Sequence, residues 1–276
     1  MSEINQQNTP QDAATRAKLQ QVQRNFGAAA ADYVTSKVHA SGQDLPWLVE
    51  AAALTGTERV LDIATGGGHA AFALAPHAAE VVALDLTRPM LEVAQKEAEA
   101  RQLSNIRFLE GDAQVIPCED SSFDVVVCRQ AAHHFPNVHQ CVSEWARVLK
   151  PGGKLLLIDS ISPEEQDADA FLEEIEILRD PSHVRNHRIS EWKALLHETF
   201  FTVKTVREWT ILLDIPSWTQ RMRTPPASVA MIEQHMHNAS PTIRERLHIE
   251  EDPILSFLLP AVLIVATSSF HTSSAS

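Results

Sequence analysis

The sequence has no excess of positive charge. Its 276 residues carry 23 Lys and Arg against 36 Asp and Glu, a formal net charge of -13. A nucleic-acid binder needs a basic stripe to neutralise phosphates, and the few basic residues here are scattered. A DNA or RNA partner is therefore disfavoured. Cysteine is also scarce. Cys118, Cys128 and Cys141 form an odd set with no metal-type pairing and read as reduced thiols of a cytoplasmic protein. The first 20 residues are polar and lack the apolar core of a signal peptide. The most apolar late stretch, Ile254 to Thr267, is too short to cross a bilayer and contains Pro260, so no membrane insertion is expected. No repeat and no linker is visible. One domain is expected over residues 21–268, between a disordered or loosely helical N-terminus (1–20) and a disordered tail (269–276).

What is present is an alternation of strands and helices. Helices are expected over Val22 to Val34 and Pro46 to Leu54. Short apolar strands follow at Arg59 to Ile63, Glu80 to Leu84, Ile106 to Glu110, Phe123 to Cys128 and Lys154 to Asp159. Helices separate them at Gly68 to Ala75, Pro89 to Gln102 and Asn137 to Leu149. Phe123 to Cys128 is an unbroken apolar run, as in a strand covered on both faces. This order implies an α/β fold with a parallel sheet between helical layers. Beyond residue 160 the pattern changes. An acidic helix is expected over Pro163 to Arg179, and another capped by Ser190 and reaching Thr199. A long strand follows over Val203 to Leu213. Helices broken by Pro225-Pro226 and Pro241 come next (Pro216 to Leu247), then a final strand over Ala261 to Thr267. The late helices read as an insertion, a cap of about 214–258, between the last two strands.

The first strand runs into Asp62-Ile63-Ala64-Thr65-Gly66-Gly67-Gly68-His69 and then a helix. Glycines at such a turn let backbone N–H groups approach a ligand closely. The turn alone does not choose between cofactors. Gly66-x-Gly68-x-x-Ala71 fits the dinucleotide pattern, and Asp85 ends the second strand where a ribose-binding acid belongs. Three further features favour S-adenosylmethionine (SAM) over NAD. Asp62 precedes the turn, where a carboxylate suits an ammonium and a sulfonium but repels a pyrophosphate. Gly111-Asp112-Ala113 closes the third strand, so Asp112 can accept from an adenine amino group. Trp145 to Gly153 leads through Lys150-Pro151-Gly152-Gly153 into the fifth strand.

On these residues the sequence resembles the class I SAM-dependent methyltransferases. It is most similar to the small-molecule branch around the ubiquinone/menaquinone-biosynthesis enzymes (methyltransferase type 11). The matching stretches are VLDIATGGGHAAFALA, VVALDLTRPMLEVAQ, FLEGDAQVIP, FDVVVCRQAAHHFPN and RVLKPGGKLLLID, in the family's order over about 58–160. The resemblance implies a Rossmann-like, doubly wound seven-stranded sheet whose last strand is antiparallel. It also implies SAM as cofactor and S-adenosylhomocysteine as product. Ala64, Thr65, Gly66 and Gly68 would then line the methionine portion, with Asp62 near its ammonium through water. Asp85 would hold the ribose hydroxyls, and Leu86 would lie against adenine. Gly111, Asp112 and Ala113 would lie at the adenine, and Arg129 and Gln130 beside the methionine part. Ala64 departs from the family, which has glycine there. Its methyl narrows the methionine end, and alanine is tolerated where φ stays negative.

The acceptor side is read from polar residues at the same end of the sheet. His133 and His134 follow the fourth strand and are the candidate catalytic residues. One is expected to face the pocket, the other to pack or cap the next helix. Tyr33 and His39 belong to the segment that covers the cofactor in the resembled family, and they either close the pocket or pack helices. Asp180 to His187 is a polar connector. His183 and Arg185 are expected near the acceptor entrance, unless this loop is merely solvated. Trp218, Met222, Met231 and Met236 suit a cap over an apolar acceptor, or simple packing on the sheet. The pairs His183/His187 and His235/His237 have no convincing third ligand, so no metal is expected. The reading is a cytoplasmic methyltransferase, monomer or homodimer, acting on a small molecule at carbon or oxygen rather than nitrogen. The alternatives are a SAM-binding protein with a non-methylating reaction, an RNA or protein methyltransferase, and an NAD oxidoreductase.

Overall fold

The structure, a computed structural model, describes residues 10–35 and 42–269. His39 lies outside these residues, as does the side chain of Tyr33. The chain enters through helices α1 (Pro10–Thr35) and α2 (Asp44–Ala52). It then alternates as β1 (Arg59–Ile63), α3 (His69–Leu74), β2 (Glu80–Asp85), α4 (Arg88–Ala100), β3 (Ile106–Glu110), β4 (Phe123–Arg129), α5 (Val138–Val148) and β5 (Leu149–Ser160). Two helices, α6 (Gln166–Arg179) and α7 (Ile189–Glu198), lead to β6 (Phe201–Asp214). The cap is α8 (Ile215–Arg221), α9 (Pro226–His237) and α10 (Pro241–Leu247), and β7 (Ser256–Ser268) closes the chain.

The seven strands form one sheet in the order β3-β2-β1-β4-β5-β7-β6. The first five pair in parallel, and β7 runs antiparallel to both β5 and β6. Strand order reverses at β1, which has β2 on one side and β4 on the other. The crevice beyond the carboxyl ends of these strands is where an open α/β sheet accommodates ligands. The central strands are apolar throughout because both faces are covered. On one face Leu61, Ile63, Val126 and Leu157 pack with Trp145 and Trp192. On the other, Val60, Val81, Val125 and Leu156 pack with Leu48, Ala71 and Leu74. The cap has its own core, in which Trp218, Ile232, Met236 and Leu247 meet Leu172, Ile175 and Phe257.

Several boundaries differ from the sequence reading. Helix α1 begins at Pro10, so of the two readings of the N-terminus, disordered or loosely helical, residues 10–20 take the helical one. Proline opens a helix without losing a needed N–H, and the Ala, Gln, Lys and Arg that follow are good helix formers. This helix is fastened by polar contacts: Lys18 Nζ donates to the carbonyls of Pro181 and His183, both at 2.8 Å, and Gln23 reaches the Leu86 carbonyl at 3.1 Å. Ser190 does not cap α7. The cap position is Arg188, whose N–H donates to Glu191 Oε2 at 2.8 Å, while Ser190 bonds to Glu164. Strands β6 and β7 pair along their whole length, from Phe201 opposite Ser268 to Asp214 opposite Ser256, and so outrun their apolar centres. Among the described residues no helix is long and apolar enough to cross a membrane.

Candidate active site

The turn after β1 is held by two buried acids. Asp62, 1% exposed, accepts at Oδ2 from Thr65 Oγ1 at 2.5 Å and from the Ala71 N–H at 3.1 Å. Asp85, at the end of β2, accepts from the Gly66 N–H and the Thr87 N–H, both at 2.8 Å. Burial pushes the Asp62 carboxyl up to about 6, against the pull of its Thr65 and Ala71 donors. Burial also raises Asp85. Asp62, expected to face a ligand, also braces the turn onto α3. Gly68 has φ of 84°, and a Cβ there would lie 2.4 Å from the Phe72 ring, so only glycine fits. Ala64 also lies in the left-handed region, with φ of 52°. The expectation of a negative φ at Ala64 is thereby corrected: the turn follows the path its glycines allow, and alanine takes it under strain.

These residues border one cavity of about 530 Å³, within the ~300–1,000 Å³ usual for small-molecule sites. Asp62, Ala64, Thr65, Gly66, Asp85, Leu86, Gly111, Asp112, Ala113, Arg129 and Gln130 all line it. Gly68 does not; Gly67 takes that place, and Gly68 shapes the turn behind it. Gly111 lets β3 leave the sheet closely, since a Cβ there would sit 2.8 Å from Leu84 and 3.0 Å from Pro117. Asp112 accepts from the Gln114 N–H at 2.9 Å. Arg129 is engaged by Asp44, with Nε to Oδ2 at 2.6 Å and Nη2 to Oδ1 at 3.2 Å. Asp44 was missed from the sequence, which carries no local signal for a pair so distant along the chain. With Arg129 neutralised, Asp62, Asp85 and Asp112 leave this end of the cavity negative. The donor set fits a ligand bearing an ammonium, a sulfonium and ribose hydroxyls, and it opposes a pyrophosphate.

The far end of the cavity is formed by Phe26, His133, His134, Glu176, Arg179 and Asp180, with Trp209, Leu213, Trp218 and Met222 from β6 and α8. The Arg179 guanidinium lies 4.9 Å over the Trp218 ring. His133 and His134 share a short 3-10 turn (Ala132–His134). His133 Nδ1 lies 2.6 Å from Oδ1 of Asp159, a residue of β5 for which the sequence carries no local signal. Burial disfavours a charged His133, but Asp159 at this distance outweighs it, and the imidazole is raised above its ordinary value. For His134, burial and the neighbouring His133 act together and hold it well below.

His183 and Arg185, expected near the acceptor entrance, do not line the cavity. His183 is 2% exposed, with Nε2 at 3.0 Å from Glu173. Arg185 spends its guanidinium on Asp169, at 2.6 and 2.9 Å, and on Glu191 at 3.2 Å. Their loop instead supports the histidine turn: the N–H groups of Val184 and Arg185 donate to the His133 carbonyl at 2.8 and 3.1 Å. Buried and solvated polar loops have the same composition, so sequence alone does not separate these roles. The cap residues divide. Trp218 and Met222 line the cavity, Met236 is buried in the cap core, and Met231 is exposed. The four histidines weighed as metal ligands each face a single carboxylate: His183 with Glu173, His187 with Glu191, His235 with Glu174 and His237 with Glu251.

The chain matches the methyltransferase domain family over residues 61–157. It is 38% identical over 242 residues to the uncharacterized methyltransferase YcgJ of Bacillus subtilis, covering 87% of this chain and 96% of the relative. The crystal structure of YcgJ superposes with a TM-score of 0.80 at 36% identity, over 82% of this chain and 98% of that one. A demethylmenaquinone methyltransferase of Deinococcus radiodurans is 39% identical over 163 residues, 57% of this chain and 67% of the relative. The cyclase SpnF shares the fold alone, with a TM-score of 0.60 at 19% identity over 83% of this chain and 81% of that one.

Proposed function

The chain belongs to the methyltransferase family, and from that premise we propose that it transfers the methyl group of SAM to a small, largely apolar molecule, at carbon or oxygen rather than nitrogen. One observation carries this reading: a single cavity joins the glycine turn and Asp85 to the aromatic wall of Trp209 and Trp218. On the cofactor side, Asp85 holds the ribose hydroxyls, Leu86 packs on adenine, and Gly111, Asp112 and Ala113 meet the adenine edge. Ala64, Thr65, Gly66, Arg129 and Gln130 surround the methionine portion, with Asp62 facing its ammonium. The sulfonium supplies an already activated methyl carbon. The protein's task is then to seat an acceptor in line with it and to exclude water.

The acceptor lobe favours an apolar ring system. Trp209, Leu213, Trp218 and Met222 offer aromatic and adaptable apolar surface. The kinship to a demethylmenaquinone methyltransferase supports the preference for carbon or oxygen. The net charge of -13 argues against a nucleic-acid acceptor.

The test is incubation with methyl-labelled SAM and a metabolite extract, alongside S-adenosylhomocysteine binding to the wild type and to Asp85→Ala. Label in a small apolar product, and binding at least tenfold weaker in a folded Asp85→Ala variant, support the reading. Binding with no label in any product would favour a non-methylating reaction on this fold. Unchanged affinity in Asp85→Ala would remove the cofactor assignment.

A further inference from the structure

We propose that His133 takes a proton from the methyl acceptor, that Asp159 positions it, and that the acceptor is a molecule whose reacting atom carries an acidic hydrogen. A phenolic or enolic hydroxyl meets that description, the hydroxyls of a hydroquinone included. The inference rests on the methyltransferase reading above and specifies its substrate class.

The two histidines of the turn differ in what holds them. Asp159 is 1% exposed on β5, beside β4, and its carboxylate accepts from three donors. These are His133 Nδ1 at 2.6 Å, the His133 N–H at 3.0 Å and the Ser160 N–H at 2.9 Å. A buried carboxylate on Nδ1 fixes the proton there and leaves the lone pair on Nε2. The His133 ring is further held by the His183 ring, stacked at 5.7 Å and 29°, and its carbonyl by two N–H groups of the loop. His133 nonetheless keeps 16% of its side chain exposed and borders the cavity. His134 has protein against both ring nitrogens. Ser182 faces Nδ1 at 3.2 Å through its carbonyl, and Asp180 lies 3.9 Å from Nε2. The Phe26 ring meets its edge at 5.0 Å. His134 borders the cavity as well, but protein stands against both of its ring nitrogens, so His133 is the member of the pair equipped to receive a proton.

The charged groups around His133 come from four elements. Asp159 stands on β5, Glu176 and Arg179 on α6, Asp180 and His183 on the following loop, and His134 on its own turn. The carboxylates prevail, so the imidazolium formed by proton uptake is stabilised where it arises. In the step, the acceptor's bond to hydrogen breaks towards His133 Nε2. The electron pair so released forms the bond to the methyl carbon, while the carbon–sulfur pair stays on sulfur. His133 ends as an imidazolium beside Asp159 and later yields its proton to solvent. General-base help of this kind is worth ~10²–10⁴-fold.

Two measurements test this. The first needs no turnover: ¹⁵N NMR of the wild-type enzyme follows the titration of His133. The expected result is an Nδ1–H tautomer titrating above the ordinary histidine value, moved downward in Asp159→Asn. An Nε2–H tautomer, or a titration indifferent to Asp159→Asn, overturns the proposal. The second uses catechol, 1,4-naphthoquinol and benzylamine as acceptors with labelled SAM. Methylation is expected on the first two. Its kcat/KM should rise with pH through the His133 titration, with the limb shifted to lower pH in Asp159→Asn, lost in His133→Gln and kept in His134→Gln. A limb that survives His133→Gln sinks the base assignment while leaving the methyltransferase reading intact, and benzylamine as the preferred acceptor sinks it together with the preference for carbon or oxygen. Cofactor binding without label in any product sinks the reading beneath it instead.

Discussion

Arg129 at the end of β4 and Asp44 in the first turn of α2 form a two-point ion pair, 2.6 and 3.2 Å long, in which each side chain is only 8% exposed. The pair fastens the segment before β1 to the carboxyl edge of the sheet, at the wall of the cavity. Removing one member strands the other charge with little water to solvate it, which costs ~3 kcal/mol or more. Asp44→Leu alone is therefore expected to lower unfolding stability by about that amount in urea. The Asp44→Leu/Arg129→Met double variant should lose less than the sum of its singles. Strict additivity would show that the two side chains are not energetically coupled.

Ala64 sits at φ of 52° at the start of the glycine turn. A residue with a Cβ pays ~1–2 kcal/mol there, and glycine does not. Glycine gives back part of that gain through its freedom in the unfolded chain, so Ala64→Gly is expected to stabilise by ~1 kcal/mol and raise Tm by ~2–4 °C. Calorimetry decides the matter. A lower Tm would mean that the Ala64 methyl contributes packing that exceeds the backbone strain.

What the sequence revealed and what it hid divide along range. The parallel strands were legible because a strand buried on both faces must be apolar throughout, as Phe123 to Cys128 is. The turn from Asp62 to Gly68 was legible because its glycines, strand and helix are contiguous. Asp44 and Arg129 are 85 residues apart, and His133 and Asp159 are 26 apart. Neither pair leaves a local pattern, because only the sheet order brings its members together. The roles of His183 and Arg185 are hidden for a related reason: their polarity is consumed by Glu173, half-buried, and Asp169, buried, which sequence alone cannot distinguish from water. Helix α1 was underestimated because its first residues have helical propensity but little apolar periodicity.

Arg185 now reads as a structural cation. Asp169 is buried, which would raise its carboxyl, but the Arg185 hydrogen bonds hold it below its ordinary value. A depressed carboxylate contributes stability above its unfolded pKa, near 3.9, and loses it as pH falls through the lower folded value. Arg185 is partly exposed, so the effect of Arg185→Ala should lie between the ~1 kcal/mol of a surface pair and the ~3–5 kcal/mol of a buried one. A loss of ~2 kcal/mol is expected at pH 7, shrinking below pH 4, with the acceptor KM unchanged within twofold. Urea titrations at the two pH values and steady-state kinetics check both halves. A tenfold rise in KM with stability intact would return Arg185 to the acceptor site.

Asp62 gives the cofactor site a pH dependence of its own. Burial raises its carboxyl from 3.8 to about 6 in the folded protein, with the Thr65 and Ala71 donors and Arg129 pulling the other way. Between these values the folded chain holds a proton that the unfolded chain has lost. Its stability contribution therefore falls as pH rises across that window and levels off above it. A bound ammonium beside Asp62 reverses the preference, favouring the ionised acid and expelling the proton. S-adenosylhomocysteine should thus bind ~10-fold more weakly at pH 5 than at pH 7, releasing about half a proton at pH 6 and more as pH falls towards 5. Asp85, also raised by burial, adds to the same trend, so Asp62→Asn should be weaker at pH 7 and flatter with pH rather than wholly flat. Titration calorimetry in two buffers of different ionisation enthalpy counts the protons directly. Equal affinity at pH 5 and pH 7 in the wild type would place the ammonium away from Asp62.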